Sequence, residues 1–76
     1  MKDYVEFIAK SLVDKPEEVE VREVEDRGGA ILELKVARED LGKIIGRQGK
    51  TARALRLLVG AAAIRARKRI ILEILE

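Results

Sequence analysis

The sequence predicts an α+β fold: a three-stranded mixed sheet with helices packed on one face, in the order α-β-β-α-α-β. Three observations predict it. Apolar residues recur at helical spacing over residues 3–13 and 50–66. They alternate with polar residues in three short stretches that begin near Val19, Leu32 and Ile70. Glycines at Gly28-Gly29 and at Gly46 and Gly49 interrupt these patterns where the chain must turn. No linker, internal repeat or low-complexity run divides the 76 residues, so the chain reads as one domain over 1–76.

Each element has its own warrant. Asp3 followed by Glu6 has the spacing of a capping box, in which each side chain bonds a free N–H of the first turn. Val5, Ile8, Ala9 and Leu12 then form one apolar stripe of a first helix. Asp14-Lys15-Pro16 ends it, because the residue before a proline disfavours helical angles. Val19-Glu20-Val21-Arg22 alternates as a strand, and the slip at Glu23-Val24 marks a bulge or the exposed end of an edge strand. Asp26-Arg27-Gly28-Gly29 is a turn that leads into a second strand, with Leu32, Leu34 and Val36 on one face. A short helix from about Arg38 or Glu39 to Ile45 turns Leu41, Ile44 and Ile45 inward. A long helix runs from near Lys50 to about Ala66, and a last strand spans Arg69 to Leu75.

Composition excludes much chemistry. The chain has no Cys, His or Trp, and Ser11 is its only serine. Zinc sites of the usual kind, haem ligated by His or Cys, disulfides and Ser–His or Cys–His nucleophile pairs are therefore impossible. No metal, cofactor or small-molecule substrate is expected, and an enzyme is remote. The longest uncharged stretch, Leu57 to Ile64, is far below the roughly 20 residues a membrane span needs. The N-terminus carries Lys2, Asp3 and Glu6 and does not read as a signal peptide. A cytoplasmic location is the expectation.

Charge is strongly asymmetric. Residues 1–42 hold seven Lys or Arg and twelve Asp or Glu, a net of −5. Residues 43–72 hold nine Lys or Arg and no acid, a net of +9. One-sided basic charge of this kind points to a polyanion, most often nucleic acid. Within the basic segment lies Ile44-Ile45-Gly46-Arg47-Gln48-Gly49-Lys50-Thr51. A P-loop and a dinucleotide fingerprint would both need glycine at 44, where Ile stands. A glycine loop between two helices has a different use. Gly46 ends one helix sharply, Gly49 leaves the mouth of the next bare, and that mouth offers free N–H groups to a phosphate. Lys43, Arg47, Lys50 and Arg53 surround it in sequence.

At these residues the sequence resembles the KH domain family of single-stranded nucleic-acid binders, whose hallmark I-G-x-x-G is here Ile45-Gly46-Arg47-Gln48-Gly49. The element order looks like the type II arrangement, and the length is similar to the small bacterial single-KH proteins of the KhpA-like kind. Ala52 departs from the larger aliphatic that many members place there. The resemblance implies that Gly46, Arg47, Gln48 and Gly49 clamp the backbone of about four nucleotides of single-stranded RNA. It implies a base groove between the loop-flanking helices and the second strand, with Leu34, Val36, Leu41, Ile44 and Ile45 as candidate walls. It also implies a post-transcriptional regulator or RNA chaperone.

Only Tyr4 and Phe7 are aromatic, so an RNA-recognition motif that stacks bases on sheet aromatics is excluded. Both read as packing residues of the first helix. The long helix is apolar on more than one side, so Val59, Gly60, Ala61, Ala63 and Ile64 are a candidate dimer surface. The resemblance points the same way, to a homodimer or a heterodimer with another KH-containing protein. The alternative function is a protein-interaction module with weak or no RNA binding.

Overall fold

A computed structural model describes the backbone of residues 1–76 and every side chain except that of Asp26. Its elements are α1 (Lys2–Leu12), β1 (Glu20–Asp26), β2 (Gly29–Lys35), α2 (Leu41–Ile45), α3 (Lys50–Ala66) and β3 (Arg69–Ile74). Short 3₁₀ turns at Pro16–Glu18 and Arg38–Asp40 and an irregular turn at Arg47–Gly49 join them. The sheet order is β1-β2-β3, with β1 antiparallel and β3 parallel to β2. The α2–α3 crossover carries the chain back so that β3 can run parallel. The mixed sheet with helices on one face agrees with the expectation.

The core lies between sheet and helices. Val5 and Ala9 of α1, Val21 of β1, Leu32 and Leu34 of β2, Ile44 of α2, Leu55 and Val59 of α3, and Leu72 of β3 meet there. Three expectations are corrected. The capping box does not form: α1 begins one residue early, no side chain caps it, and Glu6 pairs with Lys10 at 3.0 Å instead. Tyr4 and Phe7 do not pack; they are 47% and 70% exposed on the outer side of α1. Leu12 is exposed too, and the half-buried Val13 packs on the core in its stead. Of the two readings of the strand slip, the exposed end of an edge strand holds: β1 is at the sheet edge, and seven consecutive pairs join it to β2 from Glu20↔Lys35 to Asp26↔Gly29 without a bulge.

The slip has a physical cause. Glu23 and Glu25 share a face with Val21, but there the sheet outruns the helices. A cleft of about 510 Å³ opens at that end, lined by Glu23, Glu25, Leu32, Ile70, Arg67 and Lys68 among others. Charged residues are tolerated because water reaches them. The hairpin turn uses positive φ only at Gly28 (75°). Gly29 is needed for a different reason, because a Cβ there would collide with the backbone of Arg69 on β3.

Candidate nucleic-acid interface

Gly46 ends α2 with φ 76° and ψ 173°, a region essentially reserved for glycine. Its N–H donates to the Gly42 carbonyl at 2.8 Å, and a Cβ there would collide with the Thr51 side chain. Gln48 (φ 56°) and Gly49 (φ 74°) then both turn left-handed, and Gly49 caps the start of α3. Beyond its own chain neighbours and the adjoining helix backbone, no described atom lies within 4 Å of where a Gly49 Cβ would sit, so the mouth of α3 is open on that side. Arg47, Gln48 and Lys50 are exposed around it. The Arg53 guanidinium donates to the Gln48 carbonyl at 2.9 Å and ties the loop to the first turn of α3. Arg53 thus steadies the loop from below, while Arg47 and Lys50 stand free in solvent.

Lys43 departs from its expected place as a phosphate ligand. It faces the end of α1, where it pairs with Asp14 and, at 3.5 Å, with Asp40. Its hydrogen bond to Asp14 outweighs the opposing effect of burial, and the two carboxylate charges add to it, holding the ammonium above its ordinary pKa. The two carboxylates largely offset the field that this ammonium would present to a phosphate. Asp40 itself is 1% exposed and accepts from the backbone N–H groups of Asp14 (3.2 Å) and Lys15 (3.0 Å). Burial alone would raise its pKa. The two N–H donors and Lys43 outweigh it and hold the carboxyl below its usual range.

This gives the first expected result. A depressed carboxylate contributes stability above its unfolded pKa, near 4, that is lost as pH falls through the lower folded value. Asp40→Asn is expected to lower Tm at pH 7 by roughly 5–10 °C and to flatten the fall of Tm below pH 4. Thermal melts followed by circular dichroism between pH 2 and 7 check this. An unchanged acid slope would assign it to other carboxylates.

The space beside the loop is a cleft of about 300 Å³ lined by Ile45, Gly49, Ala52, Arg53, Arg56, Ile74 and Glu76. It opens between α3 and the end of β3, not against β2. The expected walls are corrected accordingly. Leu34 and Ile44 are 0% exposed in the core and have no surface to offer a base. Val36 and Leu41 are half-buried and do not line this cleft, whereas Ile45 does. Arg56, Ile74 and Glu76 were not expected. Arg56 is one helical turn beyond Arg53, so helical spacing could have found it. Ile74 reaches the loop only through the parallel placement of β3.

The candidate dimer surface is also redrawn. Val59 and Ala63 are buried at 2% and 6% exposure and face the core, as do Ala52 and Leu55. Gly60 is half-buried. The outer face of α3 instead carries Ala54, Leu57, Leu58, Ala61 and Ile64, all exposed. Leu57 and Ile64 are bare, at 76% and 78%. Spacings of three and four residues place these five on one side of the helix.

Among the described residues no helix is long and apolar enough to cross a membrane, and no group of acidic side chains is arranged to hold a metal. A family model described as KhpA/KhpB, KH domain, matches residues 2–74. The chain belongs to this family. Its KhpA relatives align over nearly the whole length. The "RNA-binding protein KhpA" of Clostridium perfringens is 57% identical over 75 residues, covering 99% of this chain and all of that protein. The proteins of the same name from Clostridium acetobutylicum and Caldanaerobacter subterraneus are 55% and 53% identical with the same coverage. No solved structure matches the chain. Within this KhpA/KhpB frame, the glycine loop and the α3 mouth fall inside the matched residues.

Proposed function

We propose that this chain is a cytoplasmic RNA-binding protein, not an enzyme, and that it clamps the backbone of single-stranded RNA at Gly46-Arg47-Gln48-Gly49. The observation that carries the reading is the open mouth of α3. Gly49 leaves it bare, Arg47 and Lys50 flank it, and no side chain caps the start of α3. A phosphate seated there meets two cations and the positive end of the α3 dipole at once. Bases then lie along the adjacent cleft, against Ile45, Ala52 and Ile74, with Arg53 and Arg56 at its side. The relatives' names support RNA as the polyanion. Post-transcriptional regulation or RNA chaperoning follows from short, backbone-led contacts that many transcripts can satisfy.

Titration of a fluorescent pool of 8-nucleotide single-stranded RNAs at several salt concentrations tests this. Each neutralised phosphate of a single strand contributes about −0.7 to the slope of log affinity against log salt. Two to four contacts give an expected slope of about −1.4 to −2.8. Absence of binding at low salt would favour the protein-interaction module.

The same reading includes a homodimer through the outer face of α3. The stripe fits a second copy of itself. When two α3 helices pair antiparallel about Val59, Ala54 lies opposite Ile64 and Leu57 opposite Ala61, so large faces small at each level. Antiparallel pairing also sets opposite dipole ends together. A heterodimer with another KH protein would use the same face.

A further inference from the structure

We propose that each RNA-binding surface is completed in trans, by the C-terminal end of α3 from the second copy. The inference rests on the dimer reading above and goes beyond it.

The cations of the acid-free segment fall into two groups. Apart from Lys43, they are Arg47, Lys50, Arg53 and Arg56 at the start of α3, and Arg65, Arg67, Lys68 and Arg69 at its end. The uncharged stretch from Leu57 to Ile64 separates them. Along the helix axis Arg56 and Arg65 stand about 13.5 Å apart, and the two ends of the helix about 24 Å apart, on one copy. Among the described residues, none of the four end cations forms an ion pair. Arg67 also occupies the left-handed position after the helix (φ 55°), where glycine is the usual residue. The chain thus places an exposed arginine where glycine would be less strained.

The antiparallel pairing brings the two groups together. The register that opposes Ala54 to Ile64 also opposes Arg53 to Arg65 and sets Lys50 level with the end of the partner's helix, where Arg67 and Lys68 follow. Packed helices lie about 8–10 Å apart. The end of one copy's α3 therefore stands beside the glycine loop of the other. Like charges at this distance, close to the Debye length of about 8 Å, repel in the RNA-free dimer. A phosphate backbone lying between them removes the repulsion and engages both sides. RNA binding and dimerisation then strengthen each other, and by linkage the effect is reciprocal.

Complementation between two variants tests this. One variant carries Arg47→Asp and Gln48→Asp; the other carries Arg65→Gln and Lys68→Gln. The changed residues are exposed, and thermal melts confirm folding. Alone, the loop variant is expected to bind a mixed-sequence 12-nucleotide single-stranded RNA at least about 100-fold more weakly than the parent, and the α3-end variant at least about 10-fold more weakly. Mixing them creates heterodimers in which the intact loop of one copy faces the intact α3 end of the other. A class of sites with the parental Kd is expected to reappear, at reduced stoichiometry. If mixed dimers form, as read by energy transfer between labelled copies, and no such sites appear, completion in trans is wrong.

Arg65→Glu gives an independent readout. The new carboxylate lies opposite the partner's Arg53, so the RNA-free dimer is expected to tighten several-fold at low salt. An unchanged dimer Kd would overturn the pairing. A parent protein that stays monomeric at all concentrations would overturn the dimer reading itself, and this inference with it.

Discussion

Replacing Arg47 and Gln48 together by Asp is expected to lower affinity for single-stranded RNA by at least about 100-fold, with Tm within a few degrees of the parent. Both side chains are exposed beside the α3 mouth, and among the described residues neither has a side-chain partner. The substitution removes a guanidinium and an amide and adds two carboxylates facing phosphate. A hydrogen bond to a charged group contributes about 1.5–3 kcal/mol, so losing even one and adding repulsion exceeds the 2.7 kcal/mol that 100-fold requires. The fold should survive because Gln48 is left-handed, with φ 56° and ψ 26°, and Asp is among the residues that adopt this conformation most readily. The bond from Arg53 reaches the Gln48 main-chain oxygen and is retained. Anisotropy titration at fixed salt checks the affinity, and a thermal melt checks the fold. Undiminished affinity with an intact fold would move the RNA site away from the loop.

Ile64→Asp is expected to raise the dimer Kd by at least about 100-fold, giving a monomer by light scattering at concentrations where the parent is a dimer. Ile64 is 78% exposed in the single chain, so the substitution removes no core contact and the monomer should fold normally. In the antiparallel pair it lies opposite Ala54. An unpaired carboxylate buried there costs several kcal/mol, and the two-fold imposes that cost twice. Val59→Ala provides the contrast. Val59 faces inward and is 2% exposed, so its truncation should lower stability without acting first on association. A parent protein that is already monomeric, or an Ile64→Asp variant that still dimerises, would remove α3 as the interface.

How much of this was legible beforehand differs by element. The α3 boundaries, Lys50 and Ala66, agree with the helical pattern because glycine at 49 and the charged run after 66 mark both ends. Gly46 and Gly49 stand out because backbone angles near φ 75° all but demand glycine, and a glycine is visible in any sequence. Tyr4 and Phe7 were misread because helical spacing cannot say which of two stripes meets the sheet. Val5 and Ala9 take the buried side, leaving the aromatics outside. Lys43 was misread because Asp14 and Asp40 approach it only after α1 and α2 come together.

Local physics, readable residue by residue, determined the element order, the glycine loop and the +9 segment around it. Periodicity, backbone permissiveness and formal charge do not depend on distant neighbours. Tertiary structure alone decided which side of α3 meets the core, that Lys43 pairs inward, and that the cleft beside the loop opens toward β3. Those outcomes depend on which surfaces compete for burial and which charges meet across long sequence separations. No single stretch of sequence contains that information.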